Sequence, residues 1–295
     1  MRIATLLLTF VVISSLNAQD VEEDYETLKQ FYRHRAKSFV FSLDPAGQKR
    51  LKLEEPVFTW TGLDYQALRN TSAPNSGDVY VWTYEGRAVV AGGVLSQPLG
   101  EGREVYQEFQ ALIETPPMPF LSPMKWGQMW SPPGVKLRSI SQAPIPPTGQ
   151  DPLARRRRDL QMRGLAKQFT AETRSAQTGK VHPLKLQPKA VFRLDAAQLS
   201  QANSSVIDGC LFLFTNQLGT DPELTLLIEC HSRDGSLSWR YAPGSLAFQE
   251  LWLKHNGKQV WHLPNYLDDP GEGNFVSSQS HSYVDMREIR ETLKE

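Results

Sequence analysis

Long hydrophobic runs are nearly missing from this 295-residue chain; the one that stands out is Ile3–Ile13. At roughly a dozen residues it falls short of the ~20 that a membrane-spanning helix needs. Met1-Arg2 precedes it and the short segment Ser14-Ser15-Leu16-Asn17-Ala18 follows, completing the three-part pattern of a secretory signal peptide. Cleavage after Ala18 and export to the periplasm or the extracellular space are therefore expected, with no membrane span left in the mature chain. Charge of one sign is missing too: 32 basic residues balance 32 acidic ones, and losing Arg2 leaves the mature chain at minus one. A neutral body of this kind is a poor polyanion binder, so no nucleic-acid partner is expected.

Cysteine is scarce, with only Cys210 and Cys230. That excludes a small disulfide scaffold, and the roughly 277 residues beyond the signal are ample for an ordinary core. Local catalytic and metal motifs are also lacking: no HExxH or paired Cys-x-x-Cys, no GxSxG elbow and no GxxxxGK[ST] loop. The acidic loop around Asp268, Asp269 and Glu272 lacks the ligand spacing of a calcium loop, so no metal and no cofactor are expected. A site assembled from distant residues would leave no such signature.

What is present is a rich aromatic load and 20 prolines, ten of them between Pro116 and Pro152. Tyr25, Leu28, Phe31 and Tyr32 fall at helical spacing in a segment running to about Lys37. A hairpin then turns at Glu85-Gly86, pairing Tyr84 with Arg87, Trp82 with Val89 and Tyr80 with Ala91. A third strand follows over Glu104–Ile113, with Glu108 and Gln110 on one face and Val105 and Phe109 on the other. Prolines as dense as those of 115–151 cannot supply ladder hydrogen bonds, so that stretch reads as a linker or wrapping loop with one short strand near 135–140. Asp151 caps a helix from Pro152, whose apolar face is Met162, Leu165, Ala166 and Phe169. Strands return from Leu184 to Tyr241, and a last hairpin turns at Asn256-Gly257, pairing His255 with Lys258 and Trp252 with Trp261.

The expected class is α+β: mainly antiparallel sheet built of hairpins, with an N-terminal helix and one central helix packed on it. The divisions are a signal at 1–18, helix plus meander at 19–114, the proline segment at 115–151, helix plus antiparallel strands at 152–265 forming one unit with 19–114, and a loop-rich tail at 266–295. Taking Thr220 as the midpoint of the hairpin Val206–His231 sets Cys210 opposite Cys230. Three outcomes follow from that placement in an oxidising compartment: a disulfide, two buried thiols, or a redox or metal role. His231 points to the other face and cannot join the cysteines in a metal site.

Three residues are candidates for ligand contact. Trp126 and Trp130, in the proline segment, either plug a core or offer their rings to a sugar or a protein partner. Within the run Arg155–Arg158, Arg158 lies four residues before Met162 and continues the apolar face, the placement of an arginine partly buried against a carboxylate. Glu108 and Glu229 are carboxylates that an acid-base pair could draw from distant strands.

The stretches VYVWTYEGRAVVAGGV (79–94), RDLQMRGLAKQF (158–169), VIDGCLFLF (206–214), GTDPELTLLIE (219–229) and WRYA (239–242) resemble a group of uncharacterised exported bacterial proteins. The resemblance touches most of the mature chain in patches and implies that the proline segment and both halves form one recurring unit. It also implies tight packing at positions 210 and 230, where small residues are common in that group, and so weighs against a shared disulfide. It carries no activity. The functional expectation is a non-enzymatic binding or structural protein that meets a cell-envelope polymer or protein; the alternative is a secreted hydrolase using carboxylates from distant strands.

Overall fold

A computed structural model describes residues 25–62, 75–100, 102–121, 134–175, 178–202, 204–217, 220–247, 249–264, 276–277 and 282–294. Helix α1 covers residues 25–37. It is followed by β1 (Val40–Ser42), β2 (Lys52–Leu53), β3 (Phe58–Thr61), β4 (Ser76–Tyr84), β5 (Arg87–Leu99), β6 (Gly102–Ala111) and β7 (Met118–Leu121). Next come β8 (Arg138–Ser139), α2 (Pro152–Ala166), β9 (Phe169–Arg174), β10 (Val181–Leu186), β11 (Phe192–Arg193) and α3 (Ala196–Gln201). The chain continues through β12 (Val206–Thr215), β13 (Pro222–Arg233), β14 (Ser236–Ser245), β15 (Glu250–His255) and β16 (Lys258–Leu263), and closes with β17 (Val276–Ser277), β18 (Ser282–Val284) and α4 (Met286–Thr292). The strands are antiparallel, so the class is α+β with mostly antiparallel sheet.

Two large sheets account for most of the strands. The first runs β17-β6-β5-β4-β2, with β18 also on β6 and β3 also on β4. The second runs β16-β15-β9-β10-β12-β13-β14-β8, with β11 also on β12. The period-2 alternation of strand side chains sorts each sheet into two faces. Tyr80, Trp82, Val94 and Phe109 of the first sheet pack under Leu28, Tyr32 and Ala36 of α1. Val81, Ala91 and Leu112, on its other face, meet Leu211, Leu227 and Ala242 of the second sheet. The far face of the second sheet, with Phe212, Phe214, Leu226 and Ile228, packs under Met162 and Leu165 of α2. The layers are thus helix, sheet, sheet, helix. Because β12 and β13 are covered on both faces, their sequences read as almost continuous apolar runs.

Three tight turns set the hairpins. Glu85-Gly86, Asp234-Gly235 and Asn256-Gly257 all hold positive φ at both central positions, the geometry that matches strand twist. Pairing next to the first turn is as counted, Tyr84 with Arg87, but a bulge between Trp82 and Thr83 then moves Trp82 opposite Val90 and Tyr80 opposite Gly92. The last hairpin behaves alike: His255 pairs with Lys258, and a bulge between Leu253 and Lys254 then sets Trp252 against His262 and Leu253 against Trp261. Trp252 and Trp261 therefore point to opposite faces. The Trp252 ring stacks on His262 at 5.4 Å and lies under the Arg174 guanidinium at 5.0 Å.

Asp151 caps α2 through its carboxylate, which accepts from the Leu153 and Ala154 amides at 3.0 Å each. Phe169, counted from sequence as a helical position, instead opens β9 and is buried beside Tyr241. Within 266–295, β17 and β18 pair with β6, and Ile289 of α4 is fully buried in the first core.

Candidate functional site

The two cysteines do not form a bond. Cys210 pairs with Ile228, and Cys230 lies between Asp208 and Trp239. Both are free and buried, and burial pushes each thiol up to about 12. Between Asp208 and Phe214 the hairpin midpoint falls one residue before Thr220, so these pairs slip by two residues while each side chain keeps its face. Of the outcomes left open by the sequence, the structure has the two buried thiols and not the possible disulfide.

Arg158 is not available to a ligand. Its side chain is fully buried; Nε donates to Asp208 Oδ2 at 2.8 Å, and Nη1 donates to the Pro147 and Gly149 carbonyls at 3.0 and 2.7 Å. Arg193 shares the same Asp208 oxygen at 2.8 Å and reaches Asp159 at 3.1 Å. The sequence identified the arginine that turns inward, but its role is to strap the proline-rich segment and α2 onto β12. Trp126 and Trp130 lie outside the described residues.

Glu108 and Glu229, the two carboxylates singled out from sequence, do not meet. Glu229 is fully buried on β13 and accepts from Arg87 Nε at 2.8 Å and Nη2 at 2.9 Å, while His231 Nε2 lies 2.8 Å from its second oxygen. Burial alone would raise its protonation midpoint, but the hydrogen bond from His231 and the Arg87 charge more than offset this and hold it below the usual carboxylate range. Since Arg87 comes from β5, this clamp joins the two sheets. It adjoins a cavity of about 180 Å³ lined by Leu43, Tyr84, Val89, Ile113 and Leu199.

Glu108 instead belongs with Asp221 and Glu223 at the other end of β13. Glu223 and Glu229 are six residues apart on one strand, or roughly 20 Å at the usual rise per residue. Glu108 is 5% exposed and Glu223 is 8% exposed. Burial, reinforced by Asp221 and Glu223, raises Glu108 well above an ordinary carboxyl; burial likewise raises Asp221 and Glu223, the latter further through its neighbour. Asp221 and Glu223 were missed in the sequence, although their alternation with the inward Thr225 and Leu227 was a usable signal: acids in a strand covered on both faces are out of place.

A second cavity, of about 190 Å³, lies beside the described end of the proline-rich segment. Gly134, Val135, Lys136 and Arg138 of that segment line it, together with Gln110 of β6 and Trp261 of β16. Lys136 is exposed and Trp261 is partly exposed. Arg138 donates to the Val260 carbonyl, which holds its guanidinium beside Trp261. Gln110 is fixed by accepting from the Ser245 amide at 2.9 Å and donating to the Ala111 carbonyl at 3.0 Å. Two cations, an aromatic ring and an anchored amide thus border one hollow. Among the described residues, no cluster of histidine, cysteine or carboxylate side chains could hold a metal ion, and no helix is long and apolar enough to cross a membrane. Compared with family models, curated protein sequences and solved structures, the chain matches none.

Proposed function

We propose that this chain is an exported binding protein that engages a polymer of the cell envelope at the cavity bordered by Lys136, Arg138 and Trp261. The observation that carries the reading is that cavity: a hollow of about 190 Å³ whose rim combines an aromatic ring with two cationic side chains. Its volume is below the ~300 Å³ at which drug-sized pockets begin, so it suits one ring or side group of a polymer better than a whole free ligand. An indole face beside cationic donors fits a sugar ring that carries carboxylate or phosphate groups, through stacking and charge-assisted hydrogen bonds. Export rests on the signal pattern of residues 1–18. A hydrolase built on Glu108 with Glu229 has no geometric support, since the two side chains lie in separate clusters.

The reading is tested by co-sedimentation with isolated envelope polysaccharide. Wild type should be retained, Lys136→Ala and Trp261→Ala should be retained several-fold less, and an Arg156→Ala control should match wild type. Melting temperatures are compared alongside so that a fold defect is recognised. Equal retention of all four proteins would sink the proposal. Export is checked separately, by sequencing the mature N-terminus, which should begin at Gln19.

A further inference from the structure

The outward side of α2 differs from an ordinary solvated helix face in both its apolar content and its charge. Ala154, Arg158, Met162, Leu165 and Ala166 are the buried side chains of the helix, and the opposite stripe carries Leu153, Arg156, Arg157, Leu160, Arg163 and Lys167, all exposed. Leu153 and Leu160 are two helical turns apart and form the crest of this stripe, with Arg157 on one flank and Arg156, Arg163 and Lys167 on the other. The two leucines are 56% and 61% exposed. Ile145, 83% exposed, lies beside them, its carbonyl accepting from Gln161 Nε2 of α2 at 3.4 Å. Single exposed apolar residues need no explanation, but three gathered around one helix face mark a contact surface.

The chain is neutral as a whole, yet this face is not. Asp159 is the one acid between Pro152 and Lys167, and it is overmatched, bonded to Arg163 at 3.0 Å and to Arg193 at 3.1 Å. Among the described residues, Arg156 and Lys167 form no ion pair, and Arg157 has only the longer-range pull of the Asp151 cap. Cations this close to the start of a helix gain nothing from its dipole, so the benefit of Arg156 and Arg157 lies with a partner.

An apolar crest flanked by cations matches an anionic bilayer surface, where leucines enter the acyl boundary and basic heads stay level with the phosphates. A polyanion in water would use the cations and leave the leucines wet. A second copy of this chain would set like charge against like. We propose that the outward face of α2 docks on the surface of a membrane containing anionic lipid, with Leu153 and Leu160 seated among the acyl chains and Arg156, Arg157 and Lys167 on headgroup phosphates. The helix lies along that surface; at 15 residues, five of them arginine, it does not span. No residue of α2 lines the cavity beside Trp261, so this docking does not rest on the polymer reading.

The test is co-sedimentation with sucrose-loaded vesicles of phosphatidylcholine alone or mixed with phosphatidylglycerol. The protein is purified without residues 1–18, whose apolar run would bind lipid by itself. Wild type should pellet with the anionic vesicles and stay in solution with the neutral ones, and added salt should weaken the binding. Each basic residue at an anionic surface strengthens binding roughly fivefold, so Arg156→Ser with Arg157→Ser should lower it roughly 25-fold. Leu153→Ser with Leu160→Ser should lower it several-fold. Wild type that pellets alike with both vesicles, or with neither, would overturn the docking, as would an arginine pair that binds like wild type. A leucine pair that binds like wild type would leave a general polyanion surface and overturn the lipid reading. Neither vesicle contains carbohydrate, so the result is independent of retention on envelope polysaccharide. Should a paired variant not fold, an environment-sensitive dye on Leu160→Cys decides the matter, the native thiols being buried. Its emission should shift to the blue with anionic vesicles, and the same dye on Gln30→Cys, exposed on α1 in the opposite outer layer, should not respond. No shift at position 160, or equal shifts at both positions, would overturn the proposal.

Discussion

Cys210 and Cys230 share one face of the β12–β13 hairpin yet are two residues out of step, Cys210 facing Ile228 and Cys230 facing Asp208. The denatured mass should therefore be the same with and without reductant. Native protein should leave both thiols unreacted toward a thiol reagent at mildly alkaline pH, because burial keeps them protonated, and both should react once urea is added. A loss of two hydrogens from the native mass would contradict the register.

Arg158 and Asp208 are both without solvent exposure, and removing Arg158 leaves Asp208 with Arg193 as its one cationic partner and frees the Pro147 and Gly149 carbonyls. Arg158→Ala should cost about 3–5 kcal/mol in urea unfolding, while Arg156→Ala, an exposed member of the same arginine run, should stay within about 0.5 kcal/mol of wild type. Equal effects at the two positions would refute the strap. Limited proteolysis near 147–149 should also quicken in Arg158→Ala, since both carbonyl anchors are lost.

The Arg87–Glu229 clamp ties stability to pH in a definite sense. Glu229 titrates below its ordinary range in the fold, so its contribution is fully present above the unfolded value of about 4.3 and is lost as pH falls through the folded value. Glu229→Gln should destabilise by roughly 3–5 kcal/mol at neutral pH and make the acid limb of the stability curve shallower. An unchanged acid limb would show that Glu229 is not held ionised there.

Gly244 of β14 lies directly against Gln110 of the first sheet. A Cβ there would meet Gln110 Cγ and come within 2.6 Å of Thr225 Oγ1. Gly244→Ala should cost about 1–3 kcal/mol by overpacking, and Gly164→Ala, with open space around an exposed helical position, should be neutral or slightly stabilising. Chemical unfolding of the two variants side by side gives the comparison.

Legibility followed the range of the interaction that decides each feature. The cap at Asp151, the turns at Glu85-Gly86 and Asn256-Gly257 and the inward lean of Arg158 are set within a few residues, and the sequence shows them. Register is not local in that sense. The bulges beside Trp82 and Leu253 insert one residue each and cannot be counted from a turn, which is why Trp252 seemed to pair with Trp261 when its partner is His262. The turn at Asp234-Gly235 is local in the same way, with Asp-Gly at its two positive-φ positions. Glu108 was found as a carboxylate in a strand, but Asp221 and Glu223 join it only through the packing of one sheet on another, which no short window contains.

The strands β17 and β18 lie along β6, the edge of the first sheet, and Val81 of that sheet meets Leu211, about 130 residues further on. For a chain made from its N-terminus, the earliest segment to emerge is thus the one that waits longest. Its inner face stays bare until β12 arrives, and its open edge is sealed only by the final residues. Release of the C-terminal end, rather than formation of the first hairpins, is then the event that completes folding, and a chain shortened by its last thirty residues would offer an unpaired β6 edge to its neighbours.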